Sequence, residues 1–295
     1  MNDPRSTTWT SLVRVPQGAP AVSTSSRGLR YGDGVFVTLA IHGGVILDAS
    51  LQMNRLNAAA TAIGLQPPAR FASLSEAARN LAAIVVELQP AIAEGVVRLQ
   101  WFAGNGPRGF GREAVRAEAM VDLTPTPAPR SVSLVVLPDG FVPLPALPHY
   151  KTCSALANIL CAREALDRGA DEAVRVNSGV LLETAATNLF WIRGGELFTP
   201  ATSLPLYPGS MRERILECAP TVGLRVEEGA FSADCLASAE TIFLANAVRG
   251  IELVRFVDGR TMGAQSTILD QLTCTVEARR REMGTPLKGP TNANA

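Results

Sequence analysis

The sequence predicts an α/β chain of two domains, and three observations carry that expectation. Short β-rich runs alternate with stretches of helical apolar spacing along the whole chain. At 295 residues, with 47% apolar and 18% charged side chains, the chain can bury sizeable cores and lacks the composition of a disordered protein. The stretch "TPTPAPR", residues 124–130, holds three prolines in seven positions, which favours an extended, helix-poor connector. The expected division is residues 1–123, a linker at 124–130, and residues 131–295 as the domain that carries Lys151.

Taken in order, "GVFVTLAIHGGVIL" contains two β-rich runs, 35–41 and 45–47, around "HGG", which signals a hairpin. "SLQMNRLNAAATAIGL" reads as a helix with Ser50 as its cap, and "LSEAARNLAAIVVELQ" as a second helix. "GVVRLQWFAGNGPRGFG" is a strand running into a glycine-rich loop, and "AEAMVDLT" is another strand. Beyond the linker, "SVSLVVL" opens the second half. It continues with helix 154–168, strand 172–177, strand "NLFWIRGGELFTP", helix 211–219 and strand "ETIFLANA". The polar tail "GTPLKGPTNANA" is expected to fray.

Charge and cysteine usage narrow the function classes. Lys+Arg and Asp+Glu both count 27, so no basic excess points to a nucleic-acid or anionic-membrane partner. The five cysteines are odd in number and form no CxxC pair, which suits free thiols better than disulfides or zinc. Two histidines, His42 and His149, are too few for a histidine metal centre, and both are read as structural; no metal is expected. The first residues show no signal-like apolar core, and no apolar run reaches membrane-spanning length. The expectation is a soluble, cytoplasmic protein acting on a small molecule.

Four local features can carry chemistry. Lys151, ahead of "LANIL", is either a solvated residue before a helix or a partly buried amine able to form a Schiff base. Glu183 in "VLLETAATNLFW" is either a turn glutamate in solvent or a carboxylate for a protonated ring nitrogen. In "LYPGSMRERIL", Pro208-Gly209 makes a turn directly before a helix, so the N–H groups of Ser210 and Met211 can face an anion. Arg55, in an apolar-faced helix, either pins a phosphate or occupies a polar face.

In this order the four motifs resemble the class IV aminotransferases, the fold-type IV pyridoxal-phosphate enzymes. The resemblance runs from Arg27 to about Gly263 through "RYGDGVF", "RL" at Arg55-Leu56, Lys151 before "LANIL", "GADEA", "ETAATNLFW", "LFTP", "PGSMR" and "FLANAVRG". It implies a two-domain fold like that of D-amino-acid and branched-chain aminotransferases, with pyridoxal 5'-phosphate as cofactor. By resemblance Lys151 is the Schiff-base lysine, Glu183 pairs with the pyridine nitrogen, and Arg55 with the backbone of Ser210 and Met211 holds the phosphate. Ala247 lies in a segment that faces the cofactor, and Thr38 places a hydroxyl near it. A homodimer with a shared site is also implied.

Three activities share the scaffold: branched-chain aminotransferase, D-amino-acid aminotransferase and 4-amino-4-deoxychorismate lyase. The last releases 4-aminobenzoate, a folate precursor, and pyruvate. Branched-chain enzymes carry a tyrosine five residues after the lysine, where this chain has Leu156, as lyases and D-specific enzymes do. "NAVRG", 246–250, resembles the lyase segment, whereas transaminases tend to carry threonine where Ala247 stands. Val37, Ser154 and Ala103 depart from the common pattern; Ala103 replaces an arginine often found before the glycine-rich loop. Arg108, Asn246 and Arg249 are candidates for binding the substrate, the two arginines through its carboxylates. The lyase is the expected activity. A transaminase is the first alternative, and a cofactor-binding relative without turnover is the second.

Overall fold

The computed structural model describes Thr7–Thr10, Val13–Val15 and residues 22–263 and 266–287. The chain forms two units. One takes in residues up to Pro127, Tyr150–Ser154 and 280–287; the other comprises Ala128–His149 and Ala155–Arg279. The first crossing, at Pro127, falls inside the proline-rich stretch. The segment with Lys151, however, belongs to the first unit rather than to one continuous C-terminal domain. The cause is backbone pairing: Phe36 N–H donates to Lys151 O at 3.0 Å, and Cys153 N–H to Gly34 O at 2.8 Å.

The first unit is built on a seven-stranded antiparallel sheet. Its order is Thr285–Pro286, Val45–Ile46, Gly34–His42, Gly95–Phe102, Glu118–Thr124, Thr7–Thr10, Val13–Val15. Alternation in "GVFVTLAIH" turns Val35, Val37, Leu39 and Ile41 to one face, where all are buried. Helices Ala49–Ala62 and Leu74–Leu88 cover that face with Met53, Leu56, Leu81 and Val85. The expected hairpin is present. His42 pairs with Val45 around Gly43-Gly44, both at positive φ, the two-residue turn whose twist matches the strands.

Two expectations in this unit are corrected. Ser50 does not cap its helix. Asp48 occupies the cap position at φ 53° and makes no capping hydrogen bond, because its carboxylate accepts Nε of Arg280 at 2.9 Å. The polar tail is not wholly frayed, since Thr285–Pro286 pairs with Val45–Ile46 as an edge strand, where proline is tolerated. Residues 288–295 of that tail lie outside the described residues.

The second unit holds an eight-stranded mixed sheet. The main path runs Glu172–Val174, Val132–Val136, Gly250–Val257, Thr241–Asn246, Asn188–Arg193, Glu196–Pro200, Arg225–Gly229, with Arg260–Thr261 beside Gly250–Val257. "NLFWIRGGELFTP" is a hairpin rather than one strand: Arg193 pairs with Glu196 around Gly194-Gly195, again both at positive φ. Strand Asn188–Arg193 is buried on both faces up to Ile192. Phe190 and Ile192 pack with helices Ser210–Cys218 and Thr267–Glu282, while Leu189 and Trp191 pack on the other side with Phe198, Ile242 and Leu244. Helix Leu156–Asp167 buries only Cys161 and Ala165. Among the described residues no helix is long and apolar enough to cross a membrane.

The Asp48–Arg280 pair is fully buried, with side chains 1% and 2% exposed. Removing one partner leaves the other charge buried without its 2.9 Å ion pair. Asp48→Ala is therefore expected to lower unfolding stability by about 3 kcal/mol or more in a chemical denaturation series. An exposed pair such as Arg79–Glu76 should contribute under about 1 kcal/mol when broken.

Candidate active site

Lys151 is placed by strand pairing. Residues 150–154 run antiparallel to the start of Gly34–His42, with Val35 bridged to Thr152. Close packing leaves no room for side chains at two glycines of "RYGDGVF", Gly34 crowded chiefly by the neighbouring strand Gly95–Phe102 and Gly32 by Ser154. A Cβ at Gly34 would sit 2.7 Å from Trp101 O. One at Gly32, already at φ 64°, would sit 2.8 Å from Ser154 Oγ.

The pairing sets Lys151 against the polar face of the sheet, opposite the core. Its Nζ lies 5.8 Å from the Phe36 ring centroid. Arg98, opposite Thr38 in register, lays its guanidinium 3.7 Å from the same centroid and reaches Gln100 Oε1 at 3.4 Å. Burial pushes the Arg98 pKa down, partly offset by Cys153 and Asp122. An arginine still keeps its proton, so a poorly solvated cation stands beside the lysine. Burial also pushes the Cys153 thiol up to about 11, which leaves it protonated and inert. Arg98 is part of no motif, and only strand register brings it here.

The glycine-rich loop is bolted down by charge. Asp33 accepts Arg27 Nε at 2.9 Å, Arg112 Nε at 2.6 Å and Arg112 Nη2 at 2.7 Å. Arg27 then donates to the carbonyls of Gly109 and Phe110, and Tyr31 Oη accepts Gly109 N–H. Arg108 stands exposed on this anchored loop. Arg55 is half-buried on helix Ala49–Ala62, one turn from the buried Gln52 and Ala59.

In the second unit, Glu183 is half-buried and both oxygens accept N–H donors. Tyr207 N donates at 2.9 Å and Asn188 Nδ2 at 3.0 Å. Helix Ser210–Cys218 begins after Gly209, which has no side chain to cap it, so the start of the helix suits an anion. Asn246 spends its amide oxygen on the N–H groups of Val248 and Arg249, shaping the loop that carries Ala247. Arg249 donates to Ala128 O at 2.9 Å and lies 3.5 Å from Glu252. It shares that carboxylate with Arg130, whose Nε donates to Glu252 Oε1 at 3.1 Å, whereas among the described residues Arg108 has no carboxylate partner.

The predicted residues therefore fall into two sets. Lys151, Thr38, Arg55 and Arg108 belong to the first unit, and Glu183, Ser210, Met211, Asn246, Ala247 and Arg249 to the second. Within the first, Lys151 and Thr38 share the polar sheet face with Arg98. Within the second, Glu183 and the Ser210 turn are joined through Asn188. His42 pairs with Glu94, and His149 Nδ1 lies 3.0 Å from Leu206 O, so each has a structural partner. Among the described residues no group of three or more His, Cys, Asp or Glu is placed to hold a metal, and the cysteines are free.

The profile of the family described as amino-transferase class IV matches residues 34–255. The chain belongs to the class IV aminotransferases. It is 24% identical to the D-alanine aminotransferase of Bacillus licheniformis over 249 residues, covering 83% of this chain and 86% of that one. It is 25% identical to the aminodeoxychorismate lyase of Vibrio harveyi over 238 residues, covering 78% and 85%. Its fold is shared with the branched-chain aminotransferase of the thermophilic archaeon Thermoproteus uzoniensis, at TM-score 0.86 and 22% identity, over 96% and 99% of the two chains.

The Asp33 cluster gives a test of how this class IV aminotransferase holds its glycine-rich loop. Burial alone would raise the Asp33 pKa, but hydrogen bonds and charge from Arg112 and Arg27 outweigh it, and the net direction is down. A depressed folded pKa stabilises at pH above the ordinary carboxylate value, and that contribution is lost as pH falls through the folded value. Asp33→Asn should cost on the order of 3 kcal/mol at neutral pH and flatten the acid limb of the stability profile. Denaturation midpoints measured between neutral pH and pH 3 check both.

Proposed function

We propose that this chain binds pyridoxal 5'-phosphate and acts as a 4-amino-4-deoxychorismate lyase, releasing 4-aminobenzoate and pyruvate. The observation that carries the reading is the Lys151 amine and the Arg98 guanidinium lying against one aromatic ring, Phe36, on the sheet face that presents Thr38. An amine for covalent chemistry and a desolvated cation for a carboxylate suit an anionic ring substrate that carries an amino group. Leu156 and the "NAVRG" loop favour the lyase by resemblance, and a lyase stands among the relatives.

The residues present fit the cofactor. Ser210 and Met211 begin a helix whose cap position, Gly209, has no side chain, and by resemblance Arg55 adds a guanidinium for the same phosphate. Glu183 is a carboxylate already oriented by two N–H donors, as a partner of a protonated ring nitrogen must be. When bound, the cofactor supplies an aldehyde for amines and a ring that withdraws electrons. Lys151 then takes the proton from the substrate carbon that bears the amine. Thr38 delivers a proton to the departing enolpyruvate. Arg98 and the exposed Arg108 meet the substrate carboxylates, while Arg249 and Asn246 chiefly shape the loop carrying Ala247. Aromatisation supplies much of the driving force, so the protein's part is orientation and charge stabilisation.

A transaminase is the alternative, supported by the D-alanine aminotransferase likeness. The two part on amine bookkeeping: a lyase leaves the amine on its aromatic product, whereas a transaminase keeps it and needs a keto acid to return. Helix Leu156–Asp167 leaves Leu156, Ile159 and Leu166 exposed, an apolar face suited to the homodimer that the resemblance implies. Five free cysteines suit a reducing compartment such as the cytoplasm.

Three outcomes are expected. Borohydride treatment of the coloured protein fixes the cofactor on Lys151, and Lys151→Ala loses the label; a label on another lysine, or a colourless wild type, overturns the assignment. Glu183→Gln keeps the cofactor but slows turnover on the order of a hundredfold, while Arg55→Ala mainly weakens cofactor affinity, by about tenfold or more. Supplied with 4-amino-4-deoxychorismate and no keto acid, the enzyme forms 4-aminobenzoate over many turnovers. A single burst that stops until a keto acid is added moves it to the transaminases.

A further inference from the structure

Asn188 occupies an unusual place. It is 6% exposed, it opens strand Asn188–Arg193, and its backbone is fixed opposite Ala245 in the sheet. Both hydrogens of its amide and one acceptor position of its oxygen are spent on two functional segments. Nδ2 donates to Glu183 Oε2 at 3.0 Å and to Tyr207 O at 2.8 Å. Oδ1 accepts Gly209 N–H at 3.2 Å. Tyr207 closes the ring by donating its own N–H to Glu183 Oε1 at 2.9 Å.

The partners dictate the chemistry of the side chain. Nδ2 serves a carboxylate and a carbonyl as donor, and Oδ1 gives a second acceptor to Gly209 N–H, which also donates to Tyr207 O at 2.9 Å; an asparagine amide offers both kinds of group at this reach. Aspartate keeps the acceptor but sets a second carboxylate against Glu183. A side chain without polar atoms removes all three bonds, leaving Gly209 N–H on Tyr207 O but breaking the amide link from both to Glu183. Gly209 belongs to the same design. Its backbone, at φ −58° and ψ 148°, suits any residue, yet a Cβ there would collide with Asn188 Oδ1. The glycine is required by the amide, not by the turn.

We infer that Asn188 is a positioning residue that couples the Glu183 carboxylate to the Gly209–Ser210 anion turn, so that ring and phosphate recognition are set together. This rests on the cofactor roles proposed above for Glu183 and Ser210. It extends them by making two binding determinants one unit: disturbing either end through Asn188 should weaken both.

The test uses the full-length chain and three probes: inorganic phosphate, pyridoxal (which lacks the phosphate) and pyridoxal phosphate. Asn188→Asp should weaken inorganic phosphate and pyridoxal each by about tenfold, the loss expected when hydrogen bonds to a charged group fail. The visible band of bound pyridoxal phosphate should shift as well, a signature that a general loss of stability would not produce. Gly209→Ala, which displaces the amide without touching a charge, should reproduce both losses, and the double variant should lose no more than either alone. If Asn188→Asp does not fold, Gly209→Ala alone must show the paired loss. Loss confined to one probe, unchanged affinities, or additive losses would overturn the coupling while leaving the cofactor reading intact. A wild-type chain that binds no pyridoxal phosphate would overturn both.

Discussion

A lysine on an exposed connector would sample solvent, and nothing in its own side chain could prevent it. What holds Lys151 is a stretch of backbone pairing between residues 150–154 and the first residues of strand Gly34–His42. Gly32 is demanded by this segment, whose Ser154 Oγ comes within 2.8 Å of where a Cβ would stand, and Gly34 chiefly by the neighbouring strand, whose Trp101 O comes within 2.7 Å. The 150–154 pairing gives the amine a fixed ring, Phe36, to lie against, and the separate register of Gly34–His42 with Gly95–Phe102 brings Arg98 and Thr38 to the same face. The "RYGDGVF" motif is in this sense a docking groove for the lysine's own peptide. Its aspartate does separate work, pinning a loop that lies 79 residues further along.

The second unit solves a comparable problem with side chains instead of backbone. Glu183 lies outside the named strands, and the two donors on its oxygens come from the start of strand Asn188–Arg193 and from the Tyr207 turn. The buried arginines follow the same logic. Arg175, 2% exposed, spreads its guanidinium over the carbonyls of Thr184 and Ala157 and the amide of Asn158, so a deeply buried cation is met by dipoles. In a chain with no net charge, electrostatic effects are therefore local: each charge that matters has its partner within reach.

Much of the fold was legible because local chemistry left little choice. Paired glycines forced the turn at Gly43-Gly44, and apolar periodicity marked Leu74–Leu88. What escaped did so for physical reasons. Helix Thr267–Glu282 buries Leu269, Leu272 and Val276 but is otherwise so rich in charge that its apolar stripe is thin. Strand Arg225–Gly229, "RVEEG", is a largely exposed edge and carries no alternation. For the site, resemblance supplied Lys151, Glu183 and Arg55 with their roles. Asn188 and Arg98 needed the fold, because a strand residue announces nothing until its neighbour across the sheet is known. Arg249 is a motif arginine whose surroundings also needed the fold: it donates to Ala128 O and lies 3.5 Å from Glu252, which Arg130 also engages.

The first unit also has a history written into its order. Its sheet ends on Thr285–Pro286, paired to the hairpin at Val45–Ile46, and its buried Asp48 waits for an arginine 232 residues downstream. Vectorial synthesis delivers the bulk of this unit first and its closing pieces last. While the ribosome is still making the intervening unit, the edge at Val45–Ile46 stays open and Asp48 stays unmatched, so the nascent domain is held short of completion. The strand and the counter-charge arrive only after the intervening unit has been made. Closure of the first unit therefore waits on synthesis of the second.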